Sequence, residues 1–140
     1  MGQMDSSALL PWIRIEKRDY EQLDVLVGST AKHRNGEVVD YLVGELVRAE
    51  IVEDGGLPGS VVGMGSRVTF RDEGTGVKRT VTLVFPSEKA RHADGVSVLT
   101  PVGAALIGLS ESQSIAYRGA DGRTRIITVM EVWPVGARTE

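Results

Sequence analysis

The sequence predicts an α+β chain, in which an N-terminal antiparallel helical hairpin is followed by an antiparallel sheet with one short helix. Apolar residues recur at helical spacing through residues 17–49. A stretch rich in Gly and Pro then marks a boundary. Beyond it, apolar and polar residues alternate, as in strands with one buried face. We therefore divide the chain into a disordered start (1–11), a hairpin (12–52), a linker (53–60) and a sheet domain (61–140).

Composition narrows the class of protein. The 140 residues include 16 basic and 19 acidic side chains, for a net charge of −3, and no cysteine. Without cysteine there are no disulfides, thiolate metal sites or cysteine nucleophiles. Direct nucleic-acid binding usually goes with a basic excess, which this chain lacks. With no signal-peptide pattern and no apolar run of ~20 residues, we expect a cytoplasmic protein, not a membrane protein, and favour a monomer.

Two amphipathic segments predict the hairpin. The first is surrounded by charged residues and ends at Gly28-Ser29. The second has the i, i+3, i+7, i+10 spacing of an antiparallel helix pair. Each arm would contain roughly 11–13 residues and span about 16–20 Å. The apolar positions are Tyr20, Leu23, Leu26 and Val27 in the first helix and Val39, Leu42, Leu46 and Ala49 in the second.

The polar connection between the helices, residues 29–36, forms the hairpin tip. Lys32, His33 and Arg34 make it basic, so it could contact an acidic protein surface or RNA phosphate. A solvated turn would explain the same three residues. The second histidine, His92, lies far along the chain in another polar segment, which does not suit a zinc site.

Period-two patterns predict five strands. In the second strand, Val77 is predicted on the buried face with Val81. In the last strand, strict alternation places Val129 and Glu131 on one face and Val132 on the other. The predicted strands are residues 67–71, 77–85, 96–99, 114–117 and 123–132.

Residues 96–109, VSVLTPVGAALIGL, are the most informative segment. A β-branched strand leads into Thr100-Pro101, and a small-residue helix follows and stops near Gly108. Thr is a good N-cap, and Pro suits the first helical position because its missing N–H would be unpaired there anyway. A purely structural strand-to-helix turn would also account for these residues.

This segment resembles the C-terminal signature of Gre-type transcription factors, which combines a strand, a Ser/Thr-Pro step and a small-residue helix. The stretch from Pro101 to Leu106, with Gly108-Leu109, is closer still to the Rnk branch of that superfamily, the regulators of nucleoside diphosphate kinase. The order of predicted elements also resembles the family's FKBP-like C-terminal domain. The resemblance therefore covers most of the chain, from the hairpin to Val132.

The resemblance implies that the strand-to-helix turn faces RNA polymerase. Gre factors often carry a basic residue in the small-residue helix, where this chain has Ala104-Ala105, so one ionic contact would be missing. The residues that match the polymerase-facing loop are Ser97, Thr100, Pro101, Val102 and Gly103.

In Gre factors, a long coiled coil carries two tip carboxylates that hold a metal ion for cleavage of backtracked RNA. The tip of this hairpin contains no Asp or Glu, and the hairpin is much shorter. Glu37 and Asp40 follow the tip at i, i+3 spacing, which is common on a solvated helix start, where acids favour the dipole. We therefore predict no metal, no cofactor and no catalysis.

The predicted function is a regulator that binds RNA polymerase near its secondary channel and competes with Gre-type factors, with an indirect effect on nucleoside diphosphate kinase. One alternative is transcript cleavage that uses Glu37 and Asp40. Another is an FKBP-like prolyl isomerase, although fold does not imply function. Its aromatic pocket would have to come from Phe70, Phe85, Tyr117 and Trp133.

Overall fold

The computed structural model describes residues 10–30 and 36–135 and confirms the α+β fold class. No helix in these ranges is long and apolar enough to cross a lipid bilayer. The elements in chain order are β1 (Arg14–Glu16), α1 (Lys17–Thr30), α2 (Gly36–Arg48), β2 (Glu50–Val52), β3 (Arg67–Asp72), β4 (Lys78–Val84), a 3-10 helix (Pro86–Arg91), β5 (Gly95–Ser97), α3 (Pro101–Leu106), β6 (Ser114–Arg118) and β7 (Thr124–Trp133).

Both helices of the hairpin form where the apolar spacing predicts them. α1 buries Leu23 and Val27, and α2 buries Leu42 and Leu46 on the same stripe as Val39. These side chains pack in one hydrophobic core with residues of the sheet. Since helices of 13 or 14 residues are marginal alone, this shared core stabilises them. The predicted basic tip lies outside the described residues: Lys32, His33 and Arg34.

A short parallel strand pair, which the sequence did not predict, closes the base of the hairpin. β1 precedes α1 and pairs with β2 after α2, so that Ile15 lies opposite Ile51. The chain after β2 then turns back toward α1, where the Arg18 amide donates a hydrogen bond to Asp54 Oδ1 at 2.8 Å. Asp54 therefore satisfies an amide at the start of α1 that has no partner within the helix.

The five-stranded sheet has the order β5-β4-β3-β7-β6. β3 pairs antiparallel with β4 and β7, and β6 pairs antiparallel with β7. The prediction of an all-antiparallel sheet is wrong at one edge, because β5 runs parallel to β4. The connection through the 3-10 helix returns the chain to the end at which β4 began, as a parallel pair requires.

A β-bulge changes the faces of the last strand. Thr69 pairs with Glu131 and Phe70 with Val129, so Met130 is an extra residue in β7. As a result, Val129 and Val132 are both buried while Glu131 is exposed, which corrects the prediction from strict alternation. The prediction for Val77 is also wrong, since it precedes β4 and is 55% exposed.

Gly108 is a point of close contact between the segment that precedes the hairpin and the sheet domain. Its φ of +83° is left-handed, and a Cβ at this position would lie 2.8 Å from the Ile13 Cβ. The Arg14 amide donates to the Gly108 carbonyl at 3.2 Å, and the Glu50 amide donates to the Ile13 carbonyl at 3.0 Å. The segment before β1 therefore lies between β2 and the turn that follows α3.

We expect Gly108→Ala to destabilise the protein by about 3 kcal/mol, from a left-handed backbone and an overpacked contact with Ile13. Gly76→Ala is the matched control, because Gly76 has a φ of +76° but open space around it. That variant should lose only about 1 kcal/mol. Urea unfolding measures both, and equal losses would contradict a packing role for Gly108.

Candidate functional site

The Thr100 side chain makes two hydrogen bonds that hold the turn between β5 and α3. The Thr100 hydroxyl accepts a hydrogen bond from the Gly103 amide at 3.1 Å and donates one to the Ser97 carbonyl at 2.6 Å. Thr100 has extended backbone angles and Pro101 follows in the first helical turn. The predicted N-cap and the predicted position of the proline are confirmed. This turn is therefore rigid before it meets any partner.

The five predicted docking residues have two different environments. Ser97 and Gly103 are buried. The Ser97 hydroxyl accepts from the Leu99 amide at 3.0 Å, and a Cβ on Gly103 would lie only 2.1 Å from the Ser97 carbonyl oxygen. These two residues shape the turn from within. Thr100, Pro101 and Val102 are half-buried and reach the surface.

The rest of α3 faces inward. Ala104, Ala105 and Leu106 are fully buried, and the helix packs against α2 and β6. Small side chains suit this position because they let α3 lie close to both neighbours. The only part of α3 that reaches the surface is its start.

Thr100 and Pro101 form one wall of a cleft of about 870 Å³ between the two halves of the chain. The start of α2 and the end of β6 line the same cleft. The cleft is lined by Gly36, Glu37, Val38, Asp40, Tyr41, Leu99, Thr100, Pro101, Tyr117, Arg118, Gly119 and Ala120. The structure thus brings Glu37 and Asp40 to the same site as the predicted docking turn.

Tyr41 and Tyr117 also line this cleft, although no sequence pattern placed either residue beside the docking turn. The Tyr41 hydroxyl is buried without a hydrogen-bond partner among the described residues. Burial, reinforced by the Glu45 carboxylate, raises the pKa of the Tyr41 hydroxyl. Burial also raises the pKa of the Tyr117 hydroxyl. The two rings add apolar surface to the cleft, and the Tyr41 hydroxyl adds one buried polar atom.

The cleft has charged rims. Glu37 and Asp40 are exposed on the α2 side, and Arg118 is exposed on the β6 side. None of the three makes an ion pair within residues 10–30 and 36–135. In the same ranges, no three His, Asp or Glu side chains converge as metal ligands would.

A second cleft, of about 970 Å³, lies between α1 and the segment that leads into β3. Asp19, in the first turn of α1, is buried there and accepts a hydrogen bond from the Met64 amide at 3.0 Å. Burial raises the pKa of the Asp19 carboxyl above its ordinary value of 3.8, and the hydrogen bond from Met64 opposes that shift only in part. Asp19 therefore links α1 to the sheet domain.

The aromatic residues considered for a prolyl-isomerase pocket are not gathered at one place. Phe85 lines the cleft beside α1, while Tyr117 lines the cleft beside Pro101. Phe70 is buried in the core beneath the Arg79 guanidinium. These side chains do not form a common aromatic pocket.

Residues 57–134, which include the whole sheet and the Thr100-Pro101 turn, match the family model described as "Transcription elongation factor, GreA/GreB, C-term". The chain belongs to the GreA/GreB family. The resemblance predicted from residues 96–109 is confirmed. The family model begins after the hairpin, which is therefore the part of the chain outside the shared domain.

Relatives extend the GreA/GreB match over the hairpin. The chain is 36% identical over 122 residues to the "Regulator of nucleoside diphosphate kinase" from Escherichia coli (strain K12), covering 87% of this chain and 89% of that protein. It is 34% identical to a solved "Prokaryotic transcription elongation factor GreA/GreB from Nitrosomonas europaea", with a TM-score of 0.67 and coverage of 89% and 99% of the two chains.

A third relative is the "Transcription inhibitor protein Gfh1" from Thermus aquaticus, 30% identical over 106 residues, which cover 74% of this chain and 66% of that protein. All three relatives are named as regulators or transcription factors, not as enzymes. This GreA/GreB family member is therefore a regulator of the transcription elongation factor type.

We expect Thr100→Ala to lower the free energy of unfolding by about 1–2 kcal/mol, since it removes both the N-cap and the bond to the Ser97 carbonyl. Thr100→Ser keeps the hydroxyl and should retain most of that stability. Urea denaturation of both variants checks this. A serine variant as unstable as the alanine variant would contradict the capping role.

The raised pKa of Asp19 predicts a pH effect on stability. Between its ordinary value of 3.8 and the higher folded value, the folded state binds more protons than the unfolded state. The contribution of Asp19 to stability should therefore increase as the pH falls through this window. Urea unfolding of wild type and Asp19→Asn at a series of pH values from about 4 upward gives the free energy of unfolding of wild type minus that of the variant. Wild type should gain stability relative to the variant as the pH falls. If wild type instead loses stability relative to the variant, burial of the charge is contradicted.

Proposed function

We propose that this family member is a non-catalytic regulator that binds RNA polymerase near its secondary channel and competes there with Gre-type factors. The observation that carries the proposal is the rigid Thr100-Pro101 turn, which projects into a cleft at the surface of the shared GreA/GreB domain. A surface that is already ordered by its own hydrogen bonds loses little conformational entropy on binding.

The short hairpin supports a role in which the protein blocks the entrance of the polymerase channel. It does not favour RNA cleavage by carboxylates that would have to reach the polymerase active site. Its helices have 14 and 13 residues, which is about 20 Å at 1.5 Å per residue. The carboxylates nearest the tip among the described residues, Glu37 and Asp40, line the same cleft as Pro101. They are therefore placed beside the sheet domain, where they would stay at the mouth of a channel. The inhibitor from Thermus aquaticus indicates that the family includes members that oppose transcription.

The effect that gives the relative from Escherichia coli its name, regulation of nucleoside diphosphate kinase, would be indirect in this chain. In our proposal it follows from altered transcription. The docking turn is needed for that effect, and a contact with the kinase itself is not.

The proposal predicts that the full chain binds core RNA polymerase and that Pro101→Glu weakens binding at least tenfold, about 1.4 kcal/mol. The substitution places a charge on the exposed face of the turn. Pro86→Glu is the matched control, because Pro86 also begins a short helix and lines a cleft, the one beside α1. Fluorescence anisotropy of labelled protein at physiological salt measures both variants.

The same samples are tested for transcript shortening in stalled elongation complexes, alone and with a Gre factor. We expect no shortening by this chain and slower shortening by the Gre factor when the chain is in excess. The proposal fails if wild type does not bind, or if Pro86→Glu and Pro101→Glu weaken binding equally. Shortening that is lost in Glu37→Gln would instead favour the cleavage alternative.

A further inference from the structure

The cleft between α2 and the docking turn has the features of a binding site for a polypeptide segment. Its volume is about 870 Å³, and it opens at the surface between α2, the start of α3 and the end of β6. Val38, Leu99 and Pro101 are half-buried in its walls, so apolar surface is left in contact with solvent. An apolar side chain of a partner would cover this surface without opening the core.

The charged residues at the rims of the cleft favour some binding partners over others. Glu37 and Asp40 share one face of α2, since they are three residues apart, and both are exposed. They line the same cleft as Pro101 and Arg118. A basic group on the partner would find two carboxylates within reach, whereas nucleic-acid phosphate would be repelled by them.

We propose that this cleft receives a segment of RNA polymerase in which a basic side chain lies next to an apolar one. The basic group contacts Glu37 and Asp40, and the apolar side chain packs between Val38 and Pro101. This inference rests on the proposed function, and it adds the hairpin to the docking surface. It makes the start of α2 a determinant of which polymerase segment is bound.

The experiment compares two pairs of neutralised carboxylates in the full chain. The test variant is Glu37→Gln with Asp40→Asn. The control is Glu21→Gln with Asp24→Asn, which makes the same charge change at the same spacing on α1, where both residues are exposed and neither lines the cleft. Binding to core RNA polymerase is measured over a series of salt concentrations.

We expect the test variant to bind about three- to tenfold more weakly, with a shallower dependence on salt, because two exposed ionic contacts are lost. The control should bind like wild type. Val38→Ser, checked for folding by urea denaturation, should weaken binding by about tenfold at most and leave the salt dependence unchanged.

Each outcome separates this inference from the proposed function. If wild type binds, Pro101→Glu does not, and the test variant binds like wild type, the inference is wrong while the docking turn stands. If the test and control variants bind polymerase equally weakly, the inference is also wrong, because the net charge of the protein and not the position of the carboxylates would then determine affinity. Tighter binding by the test variant overturns it too, and indicates that the rim faces nucleic acid or an acidic surface. Failure of wild type to bind overturns the proposed function itself.

Discussion

The close approach of Ile13 to Gly108 fixes how the hairpin and the sheet are arranged. Ile13 is fully buried, and its backbone carbonyl accepts a bond from Glu50 while the adjacent Arg14 amide reaches Gly108. A side chain on Gly108 would push this segment away from the turn after α3. The helices and the sheet therefore share one continuous hydrophobic core.

The candidate site depends on that arrangement. One wall of its cleft comes from α2, and a second wall comes from the turn that begins α3. Thr100 makes the second wall rigid, since its hydroxyl bonds both Ser97 and Gly103. The α2 wall is held in place by the buried residues Leu42 and Leu46, which belong to the shared core. A partner would therefore meet a preformed surface.

Sequence patterns predicted the elements that carry a strong period or a specific local signal. The helices followed from the spacing of residues such as Leu42 and Leu46, and the N-cap followed from Thr100-Pro101. β1 and β2 were missed because three residues are too few to show a period. The bulge at Met130 was missed because strict alternation of apolar and polar residues does not show where one strand has an extra residue.

The cleft could not be predicted for a different reason. Glu37, Pro101 and Arg118 are far apart in the sequence, and each has an ordinary local explanation. The packing of α3 against both α2 and β6 brings them together. Long-range placement of this kind is set by the shared core, and no local spacing encodes it.

The parallel pairing of β1 with β2 has a consequence for how this architecture can vary. The hairpin leaves and re-enters the body of the protein through neighbouring strands, with Ile15 beside Ile51. Whole helical turns added to both arms at their far ends would leave this anchorage, and the sheet beyond it, unchanged. The length of the helices is thus an adjustable property of the fold, because it can change by about 5.4 Å per turn while the strands that anchor the hairpin stay the same.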